Sequence, residues 1–342
     1  MFLSTILICA LLFASCSANA QDVNTIQPFT VVGDSLPQIK HMTDMKITGD
    51  TLWFVYETAD GFGQRFLRSA VIDSENNTLT VSEEIGRKAD GHYVSYMPFP
   101  IFGYSGNIQV VNQDDGDIFC IGENGGLERT RNNIFSRDCI LPIPLSQYVQ
   151  DVSAVSPDSY VFIGREPNGG AQYAMKTNIA TAEIDTIRKI QFSSELTSWM
   201  PNVGELACNK QFNCMAFAYR LHPVIDIFGM DGSLIRQVRV GPDTFNLQTT
   251  EEADFEELNP IHFIDISVTS RYIYALHWGC KYSEVSEISP IIYKIDWDGN
   301  IIDQLSITNN QLHKIAVSES NRIIGWDGNQ SFNRIEKHDK SR

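Results

Sequence analysis

The sequence has little of what marks several classes of protein. Seven cysteines in 342 residues are too few for a disulfide-stabilised scaffold, and 23 Gly with 13 Pro fall short of a fibrous composition. Only 26 Lys and Arg stand against 42 Asp and Glu, a net charge of −16 without any basic run, which speaks against nucleic acid as a partner. With 43% hydrophobic residues, the chain is too apolar to be disordered. The composition therefore predicts a soluble globular protein, which we expect to be a monomer.

The first 20 residues carry no charged side chain, and residues 2–13 are almost unbroken hydrophobic sequence, which is typical of an export signal. Two processing sites compete. Ala18-Asn19-Ala20 favours cleavage before Gln21, whereas Phe13-Ala14-Ser15-Cys16 resembles a bacterial lipobox, in which Cys16 becomes lipidated. We prefer the lipobox, and no later apolar run approaches the length of a membrane span. The mature chain is therefore predicted to be periplasmic, or a bacterial outer-membrane or cell-surface lipoprotein that contacts the membrane only through an N-terminal lipid.

Cysteine spacing leaves one disulfide open and gives no metal motif. Five cysteines remain outside the export signal, so at least one of them has no partner within the chain. Cys208 and Cys214 flank a polar turn between two apolar segments, and either form a bridge across a hairpin or remain free buried thiols. No CxxC, HxH or HExxH pattern occurs, and we predict neither a metal nor a cofactor.

Short runs rich in Val, Ile, Tyr, Phe and Trp follow one another from residue 28 onward, separated by Asp-Gly, Asn-Gly and Ser/Asn clusters. This pattern predicts an all-β fold. Residues 224–238 match residues 291–305 without a gap, and each segment contains a strand, an Asp-Gly turn and a returning strand. Four-strand units of this kind begin near residues 44, 95, 150, 203, 263 and 314, which is a spacing typical of propeller blades.

The sixth unit has three evident strands, and a strand over residues 27–32 is available to complete it. Residues 21–342 are therefore predicted to form a single domain. It is a six-bladed β-propeller of four-stranded antiparallel blades, in which the N-terminal strand closes the ring.

Two segments resemble blades of the bacterial TolB-like six-bladed β-propeller proteins, which are often exported lipoproteins. They are Phe217-Ala218-Tyr219-Arg220 leading to Asp231-Gly232, and Tyr272-Ile273-Tyr274-Ala275-Leu276 leading to Asp298-Gly299. The resemblance is clearest over residues 200–330. It implies the same fold and export, and it offers no catalytic residues to carry over.

Loop length is concentrated on one face of the predicted propeller. The A–B and C–D turns of a blade lie on one face, here the tight-turn face, and the B–C and D–A connections lie on the other, here the long-loop face. The long connections all belong to the second set: residues 57–65, 86–92, 132–148, 164–171, 193–202, 241–262 and 277–290. Because loops on a rigid scaffold commonly carry recognition, we expect the binding site on the long-loop face.

Nine residues near the ends of B strands or the starts of A strands are predicted to point toward that face and to bind a ligand. They are Glu57, Tyr96, Arg165, Trp199, Tyr219, Arg220, His262, His277 and Trp278. Arginine, histidine and aromatic side chains suit an anionic or sugar-like ligand. The alternative for each is a structural role, since Arg and Tyr at strand ends also pack between blades.

Catalytic motifs are absent: no Gly-x-Ser-x-Gly, P-loop or sialidase-type Asp-box occurs. We therefore predict a non-catalytic binding or scaffold protein of the cell envelope that recognises a protein or a glycan. The alternative is a propeller-type hydrolase or lyase, with Glu57, Asp265 and His262 as its candidate residues near the channel. Carboxylates that converge with a histidine at the channel mouth would favour the enzyme, and arginines with aromatics would favour binding.

Overall fold

Six four-stranded antiparallel sheets surround a central channel in the computed structural model, so the predicted fold, a six-bladed β-propeller, is confirmed. The structure describes residues 21–22, 25–59, 64–86, 97–112, 116–122, 126–131, 150–167, 170–181, 183–249 and 255–337. Neighbouring A strands, the innermost strands of the blades, are in contact all the way round, including the last with the first.

Each blade is a meander whose strands A to D run from the channel outward. The first three blades contain Ile39–Thr48, Thr51–Thr58, Arg65–Asp73 and Thr78–Val81; Pro98–Phe102, Ile108–Asn112, Ile118–Ile121 and Leu127–Arg131; and Gln150–Ser156, Ser159–Arg165, Gln172–Asn178 and Glu183–Ile190. Blades 4 to 6 contain Gly204–Asn209, Cys214–Tyr219, Val224–Gly229 and Leu234–Arg239; Ile261–Val268, Tyr272–Cys280, Ile291–Asp296 and Ile301–Ser306; and Leu312–Val317, Ile323–Asp327, Phe332–Glu336 and Thr25–Pro28. Every blade begins within five residues of its predicted start.

The N-terminal segment closes the ring as predicted, but with a shorter strand. Thr25–Pro28 pairs antiparallel with Phe332–Glu336 and is the D strand of blade 6. Phe29 is then buried in the core between blades 6 and 1, which carries the chain across to the next blade. Thr30–Gly33 consequently pairs in parallel with the D strand of blade 1, and Gln21–Asp22 pairs in parallel with that of blade 5.

The core is divided into six apolar clusters, one between each pair of neighbouring blades. This follows from strand geometry, because successive side chains of a strand point to opposite faces of the sheet and so toward different neighbouring blades. In the B strand of blade 4, Met215 and Phe217 face blade 3, whereas Ala216 and Ala218 face blade 5.

The same alternation decides the disulfide question. Hairpin register pairs Cys208 with Met215 and Cys214 with Asn209, so the two cysteines lie on opposite faces of blade 4. Both are free thiols in the structure, and the bridge considered from the sequence is not formed. Burial raises the pKa of Cys214 to about 11.

The two matched Asp-Gly hairpins have the same structure in blades 4 and 5. Gly232 and Gly299 have φ values of 82° and 84°, in the left-handed region that favours glycine. A Cβ atom on Gly232 would lie 2.1 Å from the carbonyl oxygen of Ile187 in blade 3. Each of these turns therefore packs against the preceding blade, and the glycine is required there for space as well as for conformation.

Helical structure is confined to short connections. The described residues contain the 3₁₀ helices Met200–Asn202, Leu247–Thr249 and Tyr282–Glu287 and one α-helix, Phe255–Leu258. The α-helix begins within an acidic segment of the sequence, of which residues 250–254 lie outside the described ranges. No described helix has the length and apolarity needed to cross a membrane.

Candidate functional site

Charged side chains from the A strands of five blades meet in the channel. We call Asp44, Asp151, Glu205, Asp265 and Lys314 the charged belt, because they occupy corresponding positions in blades 1, 3, 4, 5 and 6. Lys314 Nζ lies 2.9 Å from Glu205 Oε1 and 2.9 Å from Asp265 Oδ1. The field of Asp44 also acts on Lys314 and links blade 6 to blade 1.

The belt joins the blades to one another through their backbones. Asp151 Oδ2 accepts a hydrogen bond of 2.8 Å from the Leu206 N–H, and Glu205 Oε2 accepts one of 3.3 Å from the Ile266 N–H. Asp265 Oδ2 accepts one of 2.5 Å from the Ile315 N–H. In each case the donor is the residue that follows the belt residue of the next blade, which shows that these positions are equivalent.

Local backbone irregularities aim the belt side chains inward. The A strands of blades 1, 5 and 6 each have a register shift that ends at the belt residue, namely Asp44, Asp265 and Lys314. Asp151 lies within such a shift and has φ of 54°. A bulge inserts one extra residue and redirects the side chains beside it. It therefore allows one charged side chain of an A strand to face the channel while the apolar side chains beside it remain in the core.

Burial and mutual repulsion set the protonation of the belt. Burial, followed by the charge of Glu205, raises the pKa of Asp151 to about 7. Burial also raises the pKa of Asp265 to about 8, although Lys314 opposes the shift. For Glu205, burial is outweighed by the Lys314 ammonium and the pKa falls. For Lys314, burial is outweighed by Asp265 and Glu205 and the pKa rises. At neutral pH Asp265 therefore mostly retains its proton, whereas Asp151 is close to its midpoint and is partly ionised.

A cavity of about 430 Å³ lies on the tight-turn side of the belt. Asp44, Asp151, Glu205 and Lys314 line its inner end, and the second halves of the A strands form its walls. Its size is within the range of small-molecule sites. The sequence placed the binding site on the opposite face, so this cavity is a feature that the loop lengths did not predict.

Two lysines of the cavity lie against aromatic rings. Lys46 Nζ is 2.7 Å from Asp44 Oδ2 and lies 5.4 Å and 6.0 Å from the ring centroids of Phe99 and Phe102. At the rim, Lys210 contacts the carbonyl oxygen of Tyr104 and lies 5.0 Å from the centroid of its ring. The latter contact joins the A–B turns of blades 4 and 2.

Arginines and histidines lie at the long-loop end of the channel. The guanidinium of Arg165 lies 4.2 Å from the ring centroid of Trp199, and Arg165 Nε bonds Gln172 Oε1 at 3.4 Å. The charge of Arg165 acts on Asp151 and that of Arg220 acts on Glu205, so both arginines lie beside the belt. Arg220 Nε is buried and has no hydrogen-bond partner among the described residues.

His262 and His277 form a buried pair next to Arg220. The ring nitrogens His262 Nδ1 and His277 Nε2 are 3.1 Å apart. The backbone N–H of His262 donates a hydrogen bond to the backbone carbonyl oxygen of Arg220. Within the described part of the chain, the outer ring nitrogens, His262 Nε2 and His277 Nδ1, have no partner. Burial lowers the pKa of His262 to about 4 and that of His277 to about 3, so both rings are neutral at pH 7.

Other predicted ligand residues are held within the protein. Tyr219 is 1% exposed, and its hydroxyl donates to Asp226 Oδ2 at 3.2 Å. Trp278 is 7% exposed, and its Nε1 donates to the Leu312 carbonyl oxygen at 2.9 Å. Tyr219 and Trp278 face the spaces between blades rather than the channel mouth, because successive side chains of a B strand point toward opposite neighbouring blades.

Glu57 forms an ion pair with Arg65, with 3.2 Å between Oε1 and Nε. Tyr96 lies outside the described residues.

The three residues of the alternative enzyme hypothesis are not brought together. Asp265 binds Lys314, Glu57 binds Arg65, and His262 binds His277. Among the described residues, no group of three His, Cys, Asp or Glu side chains has the arrangement of a metal site.

Of the five belt residues, only Asp265 was named as a candidate from the sequence, and the other four were not. A signal was present: the belt side chains of blades 3 to 6 recur at the blade period, as Asp151, Glu205, Asp265 and Lys314. Each is the single Asp, Glu, Lys or Arg residue of its A strand.

The fold and the channel together define a six-bladed β-propeller with a charged belt across its axis. Neither a protein-family model nor a curated protein matches the chain. Among solved structures, a member of the DUF4221 family from Bacteroides vulgatus is similar with a TM-score of 0.58 and 11% identity, over 92% of this chain and 97% of that one. At this identity the likeness shows the fold alone, and the TolB-like resemblance stays a prediction.

Two further propellers are more distant. Regucalcin from Agrobacterium tumefaciens, described as a calcium-binding protein, has a TM-score of 0.48 and 10% identity, over 95% of this chain and 97% of that one. A virginiamycin B lyase from Staphylococcus aureus has a TM-score of 0.43 and 12% identity, over 93% of this chain and 90% of that one.

Proposed function

We propose that this chain is a non-catalytic binding protein of the bacterial cell envelope that recognises an anionic glycan at the long-loop end of its channel. The observation that carries the proposal is a group of unpartnered polar atoms in one place. Arg220 Nε is a donor, and because the two neutral histidine rings share one hydrogen bond, one of their outer nitrogens donates and the other accepts. Arg220 Nε, His262 Nε2 and His277 Nδ1 are buried without a hydrogen-bond partner among the described residues. Buried polar groups are nearly always satisfied, so these atoms favour an external partner.

The local charge favours an anion. Burial lowers the pKa of His41, and the positive charge of Lys314 lowers it further. Glu57 opposes this shift, whereas Arg65 and Arg220 add to it. Guanidinium groups bind carboxylates through paired hydrogen bonds, and Trp199 lies against the Arg165 guanidinium. A sugar acid offers both the carboxylate and the ring that such a surface would contact.

Binding is preferred to hydrolysis or elimination because the channel carboxylates already have partners. Asp151, Glu205 and Asp265 accept backbone N–H groups of the next blade, and Lys314 neutralises two of them. A general acid or base needs a free carboxyl within reach of substrate. The belt instead has the connections of a structural element.

The test is calorimetric titration of the purified protein with oligogalacturonate, using a neutral galactan oligosaccharide and a polyglutamate peptide as comparisons. We expect saturable binding of the acidic glycan only. Arg220→Gln should weaken it about tenfold or more, as expected for loss of a charge-assisted contact. Arg236→Gln is the matched control, because Arg236 is exposed on the outer strand of the same blade. Equal binding of the neutral glycan would contradict the proposal, and chromatography of the recovered glycan would reveal turnover.

Location in the envelope is proposed on the sequence alone and has its own test. With Cys16 lipidated, the wild-type chain should fractionate with membranes and Cys16→Ser should release it into the soluble extracytoplasmic fraction. If the chain is instead cleaved before Gln21, both forms will be soluble.

A further inference from the structure

The cavity on the tight-turn face is separate from the proposed glycan site. Its lining ends at the belt and includes none of Arg165, Arg220, His262 or His277. It opens among the A–B turns, at Gly49, Gly103, Gly106 and Lys210. A ligand that enters here would therefore meet the opposite side of the belt.

Acidic charge in the cavity exceeds what the lining lysines neutralise. Asp44 is paired with Lys46, and Glu205 with Lys314. At the rim, Glu319 accepts hydrogen bonds from the Ser270 backbone N–H and hydroxyl. Asp151 bonds the Leu206 N–H and has no cationic partner within salt-bridge distance among the described residues. The inner end of the cavity thus contains one carboxyl whose natural partner would be a cation.

The cavity already accommodates alkylammonium groups of its own chain. Lys46 places its ammonium against one carboxylate while its ring contacts, Phe99 and Phe102, flank the charge. Lys314 places its ammonium between two carboxylates. The combination of a carboxylate and an apolar or aromatic wall favours a protonated amine on an alkyl chain.

An orphaned hydroxyl in the same lining gives an independent indication of a missing partner. Thr43 Oγ1 is buried and has no hydrogen-bond partner among the described residues. A hydroxyl accepts as well as donates, so an ammonium N–H would satisfy it. Apolar walls of Val152, Leu206 and Ile266 continue from this polar end toward the mouth.

We propose that the cavity on the tight-turn face is a second binding site, which takes a small alkylamine with its ammonium group against Asp151. The site is independent of the proposed glycan recognition. The ammonium replaces the missing cation at the belt, and the alkyl chain lies along the apolar A-strand walls toward the opening.

The test compares three probes of equal length, hexylammonium, 1-hexanol and hexanoate, by calorimetry and ligand-observed NMR with the full mature chain. We expect saturable binding of hexylammonium at one site and no binding of hexanoate. Asp151→Asn keeps an oxygen for the Leu206 N–H and removes the charge, so it should weaken hexylammonium binding about tenfold or more. Asp185→Asn, on the exposed outer strand of the same blade, is the matched control and should bind as the wild type does.

Equal binding of 1-hexanol by the wild type would overturn the proposal, since it would show an apolar site without a role for Asp151. Equal weakening by Asp151→Asn and Asp185→Asn would also overturn it, because it would indicate diffuse attraction of amines to an acidic protein. The comparison of the three probes on the wild-type protein needs no variant, so it tests the proposal even if Asp151→Asn is poorly folded. Loss of oligogalacturonate binding by Arg220→Gln leaves this result unaffected.

Discussion

Blades 3 to 6 are joined at the channel in a different way from blades 1 and 2. From blade 3 onward, each A strand supplies a carboxylate to the backbone of the next blade, ending at Lys314. In blade 2 the corresponding position is Phe99, which pairs with Val111 and packs toward blade 3. The next residue is Pro100, where the other blades provide an N–H group.

Proline is tolerated at this place because the inner edge of an A strand makes no ladder hydrogen bonds. Pro100 has no N–H to offer to Asp44 of blade 1, and Asp44 pairs with Lys46 instead. Within the described residues, the apolar cluster between blades 1 and 2 is also small, with five buried members. One part of the ring is thus held by polar contacts across the channel, whereas the other relies on side-chain packing around Phe99 and Phe102.

The largest loss of stability is expected when a belt carboxylate is removed from blades 3 to 6. Asp265→Ala leaves the Ile315 N–H unsatisfied and removes one of the two carboxylates of Lys314. Above about pH 8, where Asp265 is ionised, we expect it to lower the free energy of unfolding by about 3–5 kcal/mol, as for breaking a buried ion pair. Asp44→Ala should cost about 1 kcal/mol, because Asp44 has no backbone partner on blade 2. Urea unfolding measures both, and equal losses would contradict the comparison.

Removing the belt cation should destabilise the protein in a pH-dependent way. Lys314→Met removes the ammonium that pairs with Glu205 and Asp265 and should cost about 3 kcal/mol at pH 8. At pH 5 the cost should be smaller, since Asp151 and Asp265 are then protonated. Lys46→Met makes the same change in blade 1, where the pair is partly exposed, and should cost about 1 kcal/mol or less. A Lys314→Met penalty independent of pH would show that the carboxyls are not coupled to the lysine.

Proton binding by Asp265 should also appear in the wild type. The folded chain retains this proton up to about pH 8, whereas the ordinary pKa of 3.8 means that the unfolded chain loses it near pH 4. The free energy of unfolding should therefore fall between pH 5 and pH 8, by up to about 1.4 kcal/mol per pH unit for this group. Glu205, whose pKa is lowered, contributes no slope in that window because it is ionised in both states.

Asp265→Asn does not titrate, so its stability should vary less with pH than that of the wild type. Ser267→Ala is the control, because Ser267 Oγ accepts the Val317 N–H at 3.0 Å from the same A strand without carrying a charge. It should lower stability about equally at pH 5 and pH 8. Guanidinium unfolding curves across the pH range measure these slopes, and an Asp265→Asn slope like that of the wild type would contradict the assignment.

The repeat was predictable from sequence because it rests on local chemistry. Asp-Gly turns such as those at Gly232 and Gly299 require a positive φ, and the strand runs on either side fix the blade period. The Arg165–Trp199 contact and the His262–His277 pair lie at the ends of B strands and the starts of A strands. These strand ends meet at the long-loop face, so the face on which the residues lie follows from the strand pattern of the sequence.

The belt was not predictable in the same way, because its members contact residues of the next blade at separations of 50 to 61 positions. Bulges at Asp44, Asp265 and Lys314 also change which side of the strand faces the channel, and simple alternation does not foresee them. Alternation does explain why Tyr219 and Trp278, chosen for their position at strand ends, are buried between blades.

The smallest expected effect tests whether Pro100 is what separates the two parts of the ring. Pro100→Ala supplies the N–H group that blade 2 lacks, so Asp44 gains the acceptor role that Asp151, Glu205 and Asp265 have in their blades. Greater freedom of the unfolded chain opposes this gain, and the net change in unfolding free energy should lie within about 1 kcal/mol. A double-mutant cycle with Asp44→Leu isolates the new hydrogen bond and should give a coupling of about 1 kcal/mol. A coupling of zero would mean that the two parts differ through the packing of Phe99 rather than through the missing N–H.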